Sequence, residues 1–150
     1  MPEIWHSVKN YNMTHNESPI KTFVKRYWRT IGTACVILYL STAPGSEFEH
    51  IPSFPNEDKV VHFLMYFGFA FILLWDLLDR FGISIIQQKK LFLLIVGLPV
   101  IWGGSMELIQ QFFTSTRSGD WLDELTNTLG AISGFFAGKW ILPALLKRKK

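Results

Sequence analysis

The sequence predicts an all-α membrane protein, a four-helix transmembrane bundle with both termini in the cytoplasm. Three observations carry that reading. Of 150 residues 49% are hydrophobic, an ordinary share, but only 18% are charged. The charges are segregated: four apolar stretches, 27–43, 60–79, 91–113 and 125–146, contain only Arg29, Asp76, Asp79, Glu107 and Lys139. These stretches approach or exceed the ~20 helical residues that cross a hydrocarbon core of about 30 Å. None shows the polar face that a soluble amphipathic helix turns to water. A soluble domain of this length cannot bury four such helices on every side. A single cysteine, Cys35, excludes an internal disulfide, and the wealth of large apolar residues excludes disorder.

The leader, residues 1–26, is polar and expected in the cytoplasm. The first apolar stretch, 27–43, is the shortest and is flanked by Lys25, Arg26 and Arg29. It resembles a signal peptide, since apolar Ile31 to Leu40 precede the small residues Ser41-Thr42-Ala43. Pro44 and the long leader argue against cleavage, so an uncleaved helix is expected, its basic flank snorkelling to the interface. The second stretch, 60–79, opens on a polar run. The third, 91–113, carries Gly103-Gly104 one turn before Glu107. On the fourth, 125–146, Gly130, Gly134 and Gly138 recur every four residues, a stripe that lets backbones approach where lipid supplies no hydrophobic drive. Helix packing is the role expected of all five glycines, and the stripe also suggests a homo-oligomer. Residues 147–150 form a basic cytoplasmic tail suited to anionic headgroups.

Loop charges give the orientation. Segments 1–26, 80–90 and 147–150 carry 11 Lys and Arg, whereas 44–59 and 114–124 carry only Lys59 and Arg117. The positive-inside rule therefore places the first three in the cytoplasm. The net charge of +3 sums a basic inner face and an acidic outer one, and gives no reason to expect nucleic acid as a partner.

Polar groups inside membrane helices are costly and are functional hypotheses by default. At 1.5 Å per residue, Glu107 lies about 24 Å above Leu91 at the inner end, with Gln110 higher. His62 and Tyr66 lie one turn apart on one face near the outer start of the second helix. Asp123 and Asn127 have the same spacing at the start of the fourth, and Lys59, Arg117 and Asp120 flank them in the outer loops. All reach one depth, the outer-leaflet interface. Asp76 and Asp79, with Arg80, are expected at the inner boundary, and Lys139 snorkels inward.

At these residues the chain resembles the VanZ-like family of small bacterial membrane proteins. The resemblance rests on Asp58-Lys59-x-x-His62-Phe63-x-x-Tyr66, Glu107-x-x-Gln110, Arg117, and Asp123-x3-Asn127-x2-Gly130-x3-Gly134, and covers about residues 30–140. One departure is Ile109, where many members carry a His beside the Gln. The resemblance implies a multi-pass protein of the bacterial cytoplasmic membrane, in a family named for a member associated with resistance to the glycopeptide teicoplanin.

The reading preferred for the cluster is binding of a lipid or lipid-linked envelope headgroup. Lys59, His62 and Arg117 supply donors for phosphate, while Glu107, Asp123 and Asn127 accept from sugar or peptide groups. Membrane lipids are the expected partners. Two alternatives stand beside it. The same residues could form a hydrogen-bonded plug that sets helix register, or His62, Glu107 and Asp123 could serve a membrane-embedded phosphoester hydrolase. No tightly spaced metal motif exists, so no metal site and no cofactor are assigned. The inner half of the bundle reads as Leu, Ile, Phe and Gly, which argues against an ion path.

Overall fold

A computed structural model of the chain describes residues 18–43, 55–113 and 121–147. These form four long helices: α1 (Pro19–Thr42), α2 (Glu57–Phe81), α3 (Lys89–Phe113) and α4 (Trp121–Lys147), with a short 3-10 turn at Ile83–Gln87. The chain is all-helical as expected, but the helices begin earlier than the apolar stretches. Local chemistry explains the extensions. Ser18 caps α1 by accepting from the Lys21 amide, and Pro19 follows at the first helical position. At α2 the left-handed Asn56 (φ 62°) turns the chain into the helix, a conformation Asn tolerates better than most residues. Glu57 and Asp58 then complement the helix dipole. Gly82 (φ 80°) ends α2 in a backbone conformation that a side chain would strain.

Of the four, α2, α3 and α4 are long and apolar enough to cross a membrane. The expected fourth, α1, is not in that group: its first half carries Lys21, Lys25, Arg26 and Arg29, and its helix is kinked at Tyr27 (φ −115°, ψ 21°). The surface has the character lipid demands. Leu93, Ile101 and Trp140 are 70%, 73% and 81% exposed, and they lie on an apolar surface far larger than water-soluble monomers tolerate.

The most extensive contact is between α2 and α4. A Cβ at Gly130 would collide with the Phe63 carbonyl, and one at Gly134 with the Phe67 carbonyl, so backbone meets backbone there. At Gly138 a Cβ would meet side chains rather than backbone: Leu74 at 3.0 Å, and Leu142 and Phe71 at 3.4 Å. The glycine stripe thus packs against α2 inside the chain. Gly104 also departs from expectation, having open space around it and no packing role.

Two apolar clusters fill the bundle. One, around Leu74, Leu78, Ile95, Phe135 and Leu142, occupies the half nearer the α2–α3 turn. The other, Ile37, Tyr66, Phe69 and Met106, lies under the polar cluster. The former half is not purely apolar. Asp76 is buried within the bundle: Oδ2 accepts from the Thr30 amide (3.1 Å) and hydroxyl (2.7 Å), and Oδ1 lies 3.3 Å from Arg29 Nε. Arg29 Nη2 reaches Asp79 at 2.6 Å, and its guanidinium sits 4.9 Å from the centre of the Trp75 ring. This latch ties α1 to α2.

Candidate functional site

The start of α2, the last turns of α3 and the start of α4 meet at one end of the bundle, and each contributes polar side chains there. α2 supplies Asp58, Lys59, His62 and Tyr66, spaced so that Lys59, His62 and Tyr66 share a face. α4 supplies Asp123, Glu124 and Asn127, and α3 supplies Glu107 and Gln110.

Lys59 Nζ lies between two carboxylates, 3.0 Å from Asp58 and 3.0 Å from Asp123. His62 occupies the centre. Its Nδ1 is 2.9 Å from Asn127 Oδ1 and 4.0 Å from Glu107 Oε1, while its Nε2 is 3.9 Å from Asp123 Oδ2. Asn127 is fully buried and its amide donates to Glu124 Oε2 at 3.2 Å. Because a carboxylate only accepts, that bond fixes which end of the amide faces His62: the Asn127 carbonyl. His62 therefore donates from Nδ1, and in the neutral imidazole that leaves Nε2 with its lone pair toward Asp123.

Gly103 makes room for this arrangement. A Cβ there would lie 2.7 Å from Glu124 Oε2, 2.9 Å from Asn127 Nδ2 and 3.2 Å from the Tyr66 ring. The glycine assigned to packing in fact opens a polar cradle. The Tyr66 hydroxyl is buried, has no hydrogen-bond partner among the described residues, and is within electrostatic reach of Glu107 and Glu124. Gln110 points elsewhere, donating to the Ser41 carbonyl at 3.0 Å and so tying the end of α1 to α3.

Of the expected residues, Lys59, His62, Tyr66, Glu107, Asp123 and Asn127 come together, and Gln110 borders them as a tether. Arg117 and Asp120 lie outside the described residues. Glu124 was missed, although its position one turn before Asn127 at a helix start was a signal available in the sequence. Among the described residues, Asp58, Glu107, Asp123 and Glu124 set four carboxylates beside Lys59 and His62, and Lys59 pairs with two of them. His62, Glu107 and Asp123 each offer a ligand atom within 4.8 Å of the others. The expectation of no metal site rested on the lack of a tightly spaced motif, and such a motif cannot register ligands contributed by three helices.

A family model described as VanZ/LLP1 matches residues 4–142. No curated protein and no solved structure matches the chain. The chain belongs to the VanZ/LLP1 family. The match is wider than the stretch holding the motif residues, and takes in the polar leader.

Proposed function

We propose that this chain binds the headgroup of a lipid or lipid-linked envelope precursor, with the polar cluster of α2, α3 and α4 as the binding site. The observation that carries the proposal is the burial of His62, Glu107, Asp123 and Asn127 at a single level of three apolar helices. Each such group costs free energy in a bilayer, and one interhelical hydrogen bond contributes only about 1 kcal/mol, so helix register alone does not require this many. The excess of carboxylates suits the hydroxyl and ammonium donors of a sugar-, peptide- or amine-bearing headgroup. Lys59 and, in the loop that follows α3, Arg117 are the donors for its phosphate.

In this reading all four helices span the bacterial cytoplasmic membrane, both termini are cytoplasmic, and the site faces the outer leaflet. α1 crosses with help from its snorkelling basic flank. Occupancy would change how envelope lipids or precursors are presented to molecules outside the cell, the route by which a glycopeptide such as teicoplanin would feel the protein.

The test is the identity of lipids that co-purify with the wild-type chain, with Arg117→Ala and with Asp123→Asn. Enrichment of one headgroup class over bulk membrane, lost in both variants while helicity is kept, is expected. A co-purifying population identical to bulk lipid in all three samples overturns the proposal. Unfolding of Arg117→Ala without any change in retained lipid would assign the cluster to helix register instead.

A further inference from the structure

We infer that His62, Glu107 and Asp123 hold a divalent transition-metal cation of the Zn2+ or Mn2+ class. The inference deepens the headgroup reading and rests on it for the ion's purpose: a dication held by the cluster joins Lys59 as a partner for the headgroup phosphate.

The geometry is that of separated ligands rather than of hydrogen-bonded partners. His62 Nε2 stands 3.9 Å from Asp123 Oδ2, beyond hydrogen-bond length, Glu107 Oε1 lies 4.0 Å from the other ring nitrogen, and one ligand atom of each of the three residues lies within 4.8 Å of the others. Two atoms that share an ion at about 2.1 Å lie about 3.4 Å apart in a tetrahedral set and about 4.2 Å apart when opposed. The 3.9 Å between Nε2 and Asp123 Oδ2 falls between those limits. All three side chains are 9–12% exposed, so the ion would shed most of its water in exchange for protein ligands.

Two further features point the same way. The relay from Glu124 through Asn127 to His62 Nδ1 fixes the tautomer that presents Nε2 as a ligand, the outer-sphere arrangement that orients metal-binding histidines. The Tyr66 hydroxyl, 1% exposed as a residue and lacking a hydrogen-bond partner among the described residues, lies within electrostatic range of Glu107 and Glu124. It is placed to donate to a water or headgroup oxygen at an open coordination position. One imidazole with two carboxylates suits Zn2+ or Mn2+ better than Mg2+ or Ca2+, which prefer all-oxygen sets. Three protein ligands leave positions open for an outside oxygen. Lys59 keeps the other Asp123 oxygen, so ion and lysine share that carboxylate.

The experiment uses the full chain in detergent, stripped with EDTA and re-equilibrated separately with Zn2+, Mn2+ and Co2+. Bound metal and retained lipid are measured on the same sample. About one ion per chain is expected, with a visible ligand-field band for Co2+. His62→Ala and Glu107→Gln should weaken binding by at least about tenfold. Asp76→Asn, a buried carboxylate at the other end of the bundle, should leave it unchanged. Absence of a stoichiometric ion and of the Co2+ band in the wild-type chain overturns the inference, whatever the variants do. So does binding that survives both site substitutions. A chain that retains its headgroup lipid after EDTA and takes up no metal sinks the cation and spares the headgroup proposal. One that takes up metal but retains only bulk lipid does the reverse.

Discussion

Replacing Arg29 with alanine tests the latch between α1 and α2. The Asp76 side chain is fully buried and, among the described residues, Arg29 is its paired cation, 3.3 Å away and 28% exposed. In Arg29→Ala the Asp76 carboxylate keeps both Thr30 hydrogen bonds to Oδ2, but Oδ1 faces the bundle without a donor. Stranding one partner of a buried pair costs about 3–5 kcal/mol. The Thr30 bonds and the partial exposure of Arg29 place this case lower, at about 2–3 kcal/mol, which is about a hundredfold in the folding equilibrium. Asp76→Asn alone removes the buried charge and leaves Arg29 to Asp79, so its cost should be nearer 1 kcal/mol, as for one ordinary hydrogen bond. Placed in the Arg29→Ala background, Asp76→Asn should restore stability, with a coupling of at least about 1 kcal/mol. Equilibrium unfolding by SDS titration in mixed micelles, followed by far-UV circular dichroism, measures all four corners of the cycle. A loss under about 0.5 kcal/mol for Arg29→Ala, or a double variant no more stable than the single, refutes the account of a buried charge held by its partner.

Other perturbations separate the roles of the glycines and the tether. Gly134→Ala should cost about 1–3 kcal/mol in the same titration, because its Cβ meets the Phe67 backbone, which cannot rotate away. Gly104→Ala should be neutral or stabilising by up to about 1 kcal/mol, since nothing lies within 4 Å. Gly103→Ala should keep helicity but weaken retention of headgroup lipid, because its Cβ displaces the Glu124 and Asn127 side chains that orient His62. Gln110→Ala should cost about 1 kcal/mol and speed proteolysis near Ser41. In a Cys35→Ala background, a cysteine at 118 should react with an impermeant maleimide added outside cells and one at 86 should not; the opposite pattern inverts the topology.

The sequence made the level of the site legible because ionisable residues are so rare in the apolar stretches that Glu107 and His62 stood out, and a 1.5 Å rise placed them at one depth. It could not show rotation about the helix axes. That rotation is what aims His62 Nε2 at Asp123, and it depends on how closely α4 approaches α2 at Gly130 and Gly134. The burial of Asp76 inside the bundle was not legible, because its neighbours Asp79 and Arg80 suggest only a place near the inner boundary. Only the position of Arg29, 47 residues earlier in the chain, shows that its charge is matched internally. The start of α1 was placed too late because its basic residues interrupt the apolar signal without interrupting the helix.

The collision that any side chain would cause at Gly130 and Gly134 means that α2 and α4 meet backbone to backbone. Lys59, His62, Asp123 and Asn127 are therefore carried by one closely packed helix pair. Glu107 rides on α3, whose Gly97 and Gly104 have open space around them and whose Pro99 removes a backbone hydrogen bond. If the cluster binds a headgroup as proposed, adjustment to it falls to α3, and the site selects by what Glu107 can reach.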